Sequence, residues 1–380
     1  MVDDASDRYL VLSDMHFGTP ESSINDTRYH AALIGYVASR APWKEIVFTG
    51  DLLDVNLSTL TRAIEGCTGE GLQASLFGFR QFLQALDTRM KQSAPNKSLK
   101  DLAGMWIYVP GNHDYKIWDV LSTRVALDDV LAGGHQIGWV PTPLMKYKWT
   151  GDESFFAGIF RRYGVAGQVI VEYPNHEILF GQEQERMVLT HGHYLDASQT
   201  RGSDLSDHLR DATTPGEIAK IVREIFIDTA QYQAVANAVS FTQSTRHLMN
   251  DLVGPDGWSN KFTKLSKRIG QWLLKFFYPG EARKGEDLSP KQLLNIEYYL
   301  ERFCGYAQPP RWFIFGHTHR QGKGKTSRVG VEAYNAGSCY LDQGIPVTFA
   351  EIEAGAGGKP TICLMCVDQN ANVGKSPESE

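Results

Sequence analysis

The chain alternates between short apolar runs and longer stretches of helical periodicity. Residues 8–13 (RYLVLS) form an apolar run that stops at DMH, and 45–50 (EIVFTG) form another that stops at DLLD. A third, 105–110 (MWIYVP), stops at GNHD. Runs of this length, rich in β-branched and aromatic residues, predict strands. Between them, 26–39 and 72–91 predict helices. Strand, polar loop and helix in repetition is the pattern of a layered α/β domain, in which ligands bind beyond the strand ends.

From 138 to 193 the period shortens into strands, among them QVIVEYP, HEILF and RMVLTHGH. A helical segment is then expected over 194–308. Thr214 can cap a helix, Pro215 suits its first position and Glu217 adds a first-turn carboxylate. Ile218, Ile221, Val222, Ile225 and Phe226 follow at helical spacing, and Ser289-Pro290 starts another helix carrying Leu293, Ile296, Leu300 and Phe303 on one side. Strands resume with RWFIFG, VGVEAYNAG, VTFAEIEA and TICLMCV. The expected organisation is a discontinuous main domain (1–193 and 309–368), a helical insertion or cap (194–308) and a disordered polar tail (369–380).

Composition narrows the class. At 42% hydrophobic residues, 380 residues bury a substantial core, and a net charge of −6 gives no global field toward nucleic acid or anionic lipid. No apolar run approaches the roughly 18 residues of a membrane span, and the acidic start MVDDASD has no signal-peptide pattern. Five scattered cysteines form no disulfide framework, so a cytoplasmic location is expected. Cys363 and Cys366, three apart in a strand, point to opposite faces and are expected to be core residues rather than a metal pair.

The strand ends carry the chemistry: Asp14 and His16 in SDMH, Asp51 and Asp54 in GDLLD, Asn112, His113 and Asp114 in GNHD, His191 and His193 in THGH, and His317 and His319 in GHTH. Six of the eleven histidines fall in these loops. One histidine at a strand end is ordinarily a satisfied polar residue; five such loops in order point to a metal site. Asp14/His16 and His317/His319 make natural ligand pairs for two ions, and mixed carboxylate and imidazole donors suit Zn²⁺, Fe or Mn²⁺.

With its D-x-H, G-D-x-x-D, G-N-H-D, H and G-H-x-H motifs spanning Asp14 to His319, the chain resembles the calcineurin-like metallophosphoesterase superfamily. The resemblance implies a four-layer αββα sandwich, two mixed β-sheets flanked by helices. It implies that Asp14, His16, Asp51 and His319 hold a first metal and that Asp51, Asn112, His191 and His317 hold a second, Asp51 bridging. It further implies a phosphoesterase in which a metal-bridging hydroxide attacks phosphorus in line, between ions about 3.5–4 Å apart. His113 would contact phosphate and protonate the leaving oxygen, oriented by Asp54. His193 would touch substrate or fix the loop around His191; Asp114 suits a loop cap.

Substrate signals are weaker. GDLLDVN lacks the arginine and glycine that follow the second aspartate in serine/threonine protein phosphatases, and His113 stands where lipid A precursor hydrolases usually carry arginine. In KFTKLSKRIGQWLLKFF, Phe262, Leu265, Ile269, Trp272, Leu273 and Phe276 share one helical face, with lysines and Arg268 across the other. This suits a cap helix with a solvated basic face, or an interfacial helix making peripheral membrane contact through 261–277. Arg320, Lys323, Lys325 and Arg328 suit a further phosphate of the substrate or a solvated hairpin. The expectation is a phosphodiesterase or pyrophosphatase with two divalent ions, Mn²⁺ foremost, acting on a phosphorylated small-molecule or lipid-linked substrate. A nuclease, or a metal-bearing scaffold without catalysis, are the alternatives.

Overall fold

The structure, a computed structural model, describes residues 7–19, 22–53, 72–114, 131, 133, 147–150, 155–197, 200, 203–238, 288–340, 345–355 and 358–377. Two mixed sheets face each other. The larger is ordered β13-β12-β11-β1-β2-β3-β5-β4. Its centre is β1 (Arg8–Leu12), β2 (Trp43–Thr49), β3 (Ala103–Val109) and β5 (Val169–Tyr173), mutually parallel. β4 (Tyr147–Thr150) and β11 (Val347–Ala354) border it antiparallel, and β12 (Pro360–Val367) and β13 (Val373–Lys375) continue beyond β11, each antiparallel to the strand before it. The smaller sheet is ordered β6-β7-β8-β10-β9: β6 (Asn175–Phe180), β7 (Glu185–Thr190), β8 (Trp312–Phe315), β10 (Glu332–Asn335) and β9 (Gly322–Lys325).

Strands apolar on both faces explain the layering. On β1, Tyr9 and Val11 join the core shared with Ile178, Phe180, Met187, Leu189, Trp312 and Ile314 of the smaller sheet. Their neighbours Leu10 and Leu12 join the other core, which includes the helices. Between the sheets Tyr9 meets Phe180 edge to face at 5.6 Å, and within the smaller sheet Phe180 meets Trp312 edge to face at 5.9 Å. On the outer face of the larger sheet lie α1 (Thr27–Ser39), α2 (Leu72–Ser93) and α3 (Phe155–Phe160). Phe48 meets Phe79 of α2, and Trp106 meets Phe160 of α3. Asp26 caps α1 by accepting the Arg28 N–H.

In its described residues, segment 194–308 forms α4 (Leu205–Leu209), α5 (Pro215–Ala238), α6 (Pro290–Tyr298) and a π-helical turn, Tyr299–Phe303. These cover the outer face of the smaller sheet: Tyr299 packs on Phe313, and Val222, Ile225, Ile296, Leu300 and Phe303 are fully buried. Two sheets between helical layers give the α/β sandwich. Ser289 and Gln292 form a capping box at the start of α6.

Three expectations change. Residues 373–375, expected to be disordered, form β13, because β12 offers an edge that Val373 and Gly374 pair with. Gly322 to Lys325, in the stretch expected to bind a further phosphate or to form a solvated hairpin, is strand β9, paired antiparallel with β10. Its lack of alternating apolar residues hid it, and Leu288 and Leu293 cover Gly324. Arg328 is held by Glu297 and Glu301, so the basic cluster is partly neutralised. The amphipathic stretch 261–277 and Asp54 lie outside the described residues. Among the described residues, no helix is long and apolar enough to cross a membrane. Cys363 and Cys366 are both free thiols on β12.

Candidate metal centre

Five loops, leaving β1, β2, β3, β7 and β8 at their C-terminal ends, meet in one place. Backbone bonds continue past the strands and hold the loops in register: Asp14 N–H donates to Gly50 O, His16 N–H to Asp51 O, and Gly316 N–H to His191 O. Of the seven non-glycine residues with positive φ among the described residues, five are Asp14, His16, Asp51, His317 and His319. Left-handed backbone costs a β-carbon-bearing residue on the order of 1–3 kcal/mol. Concentrating it at five converging side chains is a signature of function rather than of folding. It also revises why Asp14 and His16, or His317 and His319, converge: strand alternation alone does not aim them; the αL turns do.

Asp14, His16, Asp51 and His191 are 0–2% exposed, while His319 is 22% and His317 10% exposed, so the site opens on the GHTH side. Three sets of side chains bring possible ligand atoms within 4.8 Å of one another: Asp14–His16–His319, His16–Asp51–His113 and Asp51–His191–His317. In the first set, His16 Nε2 and His319 Nε2 are 3.2 Å apart, and Asp14 Oδ1 is 3.3 Å from His319 Nε2. In the last, His191 Nε2 lies 2.9 Å from Asn112 Oδ1, 3.2 Å from His317 Nδ1 and 3.3 Å from Asp51 Oδ2. Asp51 Oδ2 is also 3.9 Å from His16 Nε2, which places this oxygen between the two sets.

The donor set fits divalent cations on its own chemistry. Asp14 Oδ1 and Asp51 Oδ2 are buried without a hydrogen-bond partner among the described residues. A buried carboxylate oxygen left so is costly unless a cation faces it. The companion oxygens are used: Asp51 Oδ1 accepts the His113 N–H, and Asp14 Oδ2 accepts from His317 N–H and the Ser13 hydroxyl. His191 Nδ1 faces Thr49 O at 3.0 Å, a bond that puts the proton there and turns Nε2 into the site. Burial disfavours charge on His191, but Asp51 and Asp14 outweigh it and push its pKa up to about 9. His16, with burial against it and His113 beside it, is pushed down to about 4 and keeps a free lone pair.

The described histidines and aspartates expected from sequence are therefore brought together; Asp54 lies outside the described residues. His113 is half-buried, its ring 4.8 Å from that of His16 and nearly perpendicular. His193 is buried, packed on Tyr194 at 4.1 Å and 5.5 Å from the ring of His191. That position supports fixing the loop more than touching substrate. Asp114 accepts the N–H groups of Leu52 and Gly111, a cap across two loops, and burial followed by the charge of Asp51 raises its pKa to about 6. Arg320 is half-buried directly after His319.

Other residues around the site were not expected. Asn335, ending β10, donates to Gly316 O and Thr318 Oγ1 and so shapes the GHTH turn. Tyr340 lays its ring 4.8 Å from that of His319 and 5.3 Å from that of His16. Asp196 lies 3.2 Å from His317 Nε2. The NAG triplet after an apolar strand was an available signal for Asn335; Tyr340 and Asp196 had none.

No family model and no curated protein matches the chain by sequence. Solved structures do align along nearly its whole length. They include a dimetal phosphatase from Danio rerio (12% identity, 98% of this chain and 99% of that one, TM-score 0.37). Wild-type Vps29 from Entamoeba histolytica complexed with Zn²⁺ also aligns (11%, 97% of each, 0.33). So does the phosphopantetheinyl hydrolase of Mycobacterium tuberculosis (13%, 88% and 90%, 0.26). Likenesses of this grade assign no function.

Proposed function

We propose that the chain is a dinuclear-metal-dependent phosphoesterase, with Mn²⁺ as activating ion, that hydrolyses a phosphodiester or pyrophosphate bond. The observation that carries this is Asp51 Oδ2, a buried carboxylate oxygen without a hydrogen-bond partner among the described residues, facing both His16 and His191. Asp14, His16, Asp51 and His319 would hold one ion, and Asp51, Asn112, His191 and His317 the other. When bound, such a pair polarises a phosphoryl group and makes water a competent nucleophile near neutral pH.

The protein's own groups supply positioning and a proton. Asp51 Oδ1 accepts the His113 N–H, so the carboxylate that would serve both ions is tied to the backbone of the candidate acid. The His113 imidazole stands beside His16 on the partly exposed side, where it can contact phosphate and protonate a leaving oxygen. Arg320, next to His319, would bind a second anionic group, which favours a diester or pyrophosphate over a monoester.

The test is Mn²⁺-dependent hydrolysis of bis-p-nitrophenyl phosphate against p-nitrophenyl phosphate. Preferential diester turnover, abolished in Asp51→Asn and lowered about 10²–10⁴-fold in His113→Ala, is the expected result. Two bound ions with no turnover of either substrate would favour a scaffold without catalysis.

A further inference from the structure

We infer that Asp196 is a positioning residue for the second metal position, fixing the tautomer and aim of His317 and making the helical layer part of the metal centre. This rests on the dinuclear reading above. His317 presents Nε2 to Asp196 Oδ2 at 3.2 Å and Nδ1 to His191 Nε2 at 3.2 Å. A carboxylate only accepts, so the single proton of a neutral His317 sits on Nε2, and Nδ1 turns its lone pair inward. Thr49 O fixes His191 in the mirror sense, with the proton on Nδ1 and the lone pair on Nε2. Two inward lone pairs 3.2 Å apart, with Asn112 Oδ1 and Asp51 Oδ2 beside them, are compatible only with a cation or a second proton between them. An ionised partner on the outer nitrogen also makes the inner one more basic, as outer carboxylates commonly do for ligating histidines.

Asp196 does not hang on a free loop. It closes the helical turn His193–Leu195 through its N–H to His193 O, and its own carbonyl accepts from Thr200 Oγ1 at 3.0 Å. The adjoining carbonyl, Leu195 O, accepts from Asn295 Nδ2 on α6 at 3.1 Å. Asn295 is 2% exposed and uses its other end to accept the Ser206 N–H at the start of α4. A buried amide satisfied at both ends is rigid, since displacing it strands several polar groups at once. The orientation of His317 is thus set from α6, and α6 lies in the same layer that covers the smaller sheet. Asp196 itself is 40% exposed, so replacing it removes the contact without opening the core.

The experiment is a Co²⁺ titration of the metal-stripped full chain by calorimetry, with elemental analysis of the loaded protein, for wild type, Asp196→Ala and Asp196→Asn. Thermal melts of the metal-free proteins accompany it. The expected result is two ions in wild type and a loss of about 10–100-fold in affinity for one of them in Asp196→Ala. The other ion and the metal-free melt should be unchanged, and Asp196→Asn, which keeps an acceptor, should fall between. Two ions bound equally well by wild type and both variants would overturn the positioning role while leaving the dinuclear reading intact. Equal weakening of both ions with a lowered metal-free melt would overturn it as general loosening. A wild type that binds no Co²⁺ would sink both readings.

Discussion

At the scale of single residues, the site is as much glycine as ligand. A Cβ on Gly111 would overlap the Asp51 carboxylate, and one on Gly50, whose φ is +86°, would overlap the ring of His191. The GD and GN pairs that look like ordinary turn chemistry in the sequence are sites of close approach between loops. Gly111→Ala is expected to cost about 1–3 kcal/mol in melting stability and to weaken Mn²⁺ binding at least about tenfold, the two read by thermal melts and metal titration. Unchanged metal binding would show that the Asp51 carboxylate can move without consequence. The candidate ligand types were legible in the sequence because each of their loops is preceded by an apolar run. Asp196 and Tyr340 were not, because nothing local distinguishes an aspartate or tyrosine aimed at a histidine more than a hundred residues away.

At the scale of elements, one buried ion pair network ties the sheets together. His176 on β6 directs Nδ1 to Glu172 of β5 at 2.5 Å and Nε2 to Glu45 of β2 at 2.8 Å. Burial opposes its charge, but the two glutamates outweigh burial and raise its pKa from 6.5 to about 9. A raised histidine pKa favours the folded state wherever the histidine is charged there. The contribution is complete below about pH 6.5 and is lost as pH rises through about 9. Its size is on the order of 3 kcal/mol. His176→Gln should therefore flatten the decline in melting temperature between pH 6.5 and 9. A wild-type melt insensitive to pH over that window would refute the charged bridge. Helix boundaries were well anticipated where a capping signal existed, as at Asp26 and Ser289. β9 and β13 were missed because their strand character comes from the partner edge, not from their own composition.

At the scale of the whole molecule, the described helices after His193 pack as a layer on the smaller sheet. Tyr299 and Phe303 stack on each other, and Tyr299 also packs on β8, under the loop that carries His317. Were this segment a detachable cap, its removal would spare turnover of a small substrate. The structure leads to the opposite expectation: deleting 196–306 exposes Phe313 and removes both Asp196 and Asn295. The shortened chain should show no cooperative melt and bind no Mn²⁺. A folded, metal-loaded deletion protein would show that the helical layer is dispensable.

The sequence by itself determined the central strands of the two sheets, the polar loops at their ends and the donor types in those loops, since these rest on periodicity and residue chemistry over a few positions. Only the tertiary structure decided how the donors face one another. His16 and His319, 303 residues apart, bring their Nε2 atoms to 3.2 Å. Which nitrogen of His191 or His317 turns inward is set by Thr49 O and Asp196, partners distant in the chain. Left-handed backbone at five candidate ligand positions is affordable only because the surrounding sheets hold it, and no local pattern of apolar and polar residues encodes that support.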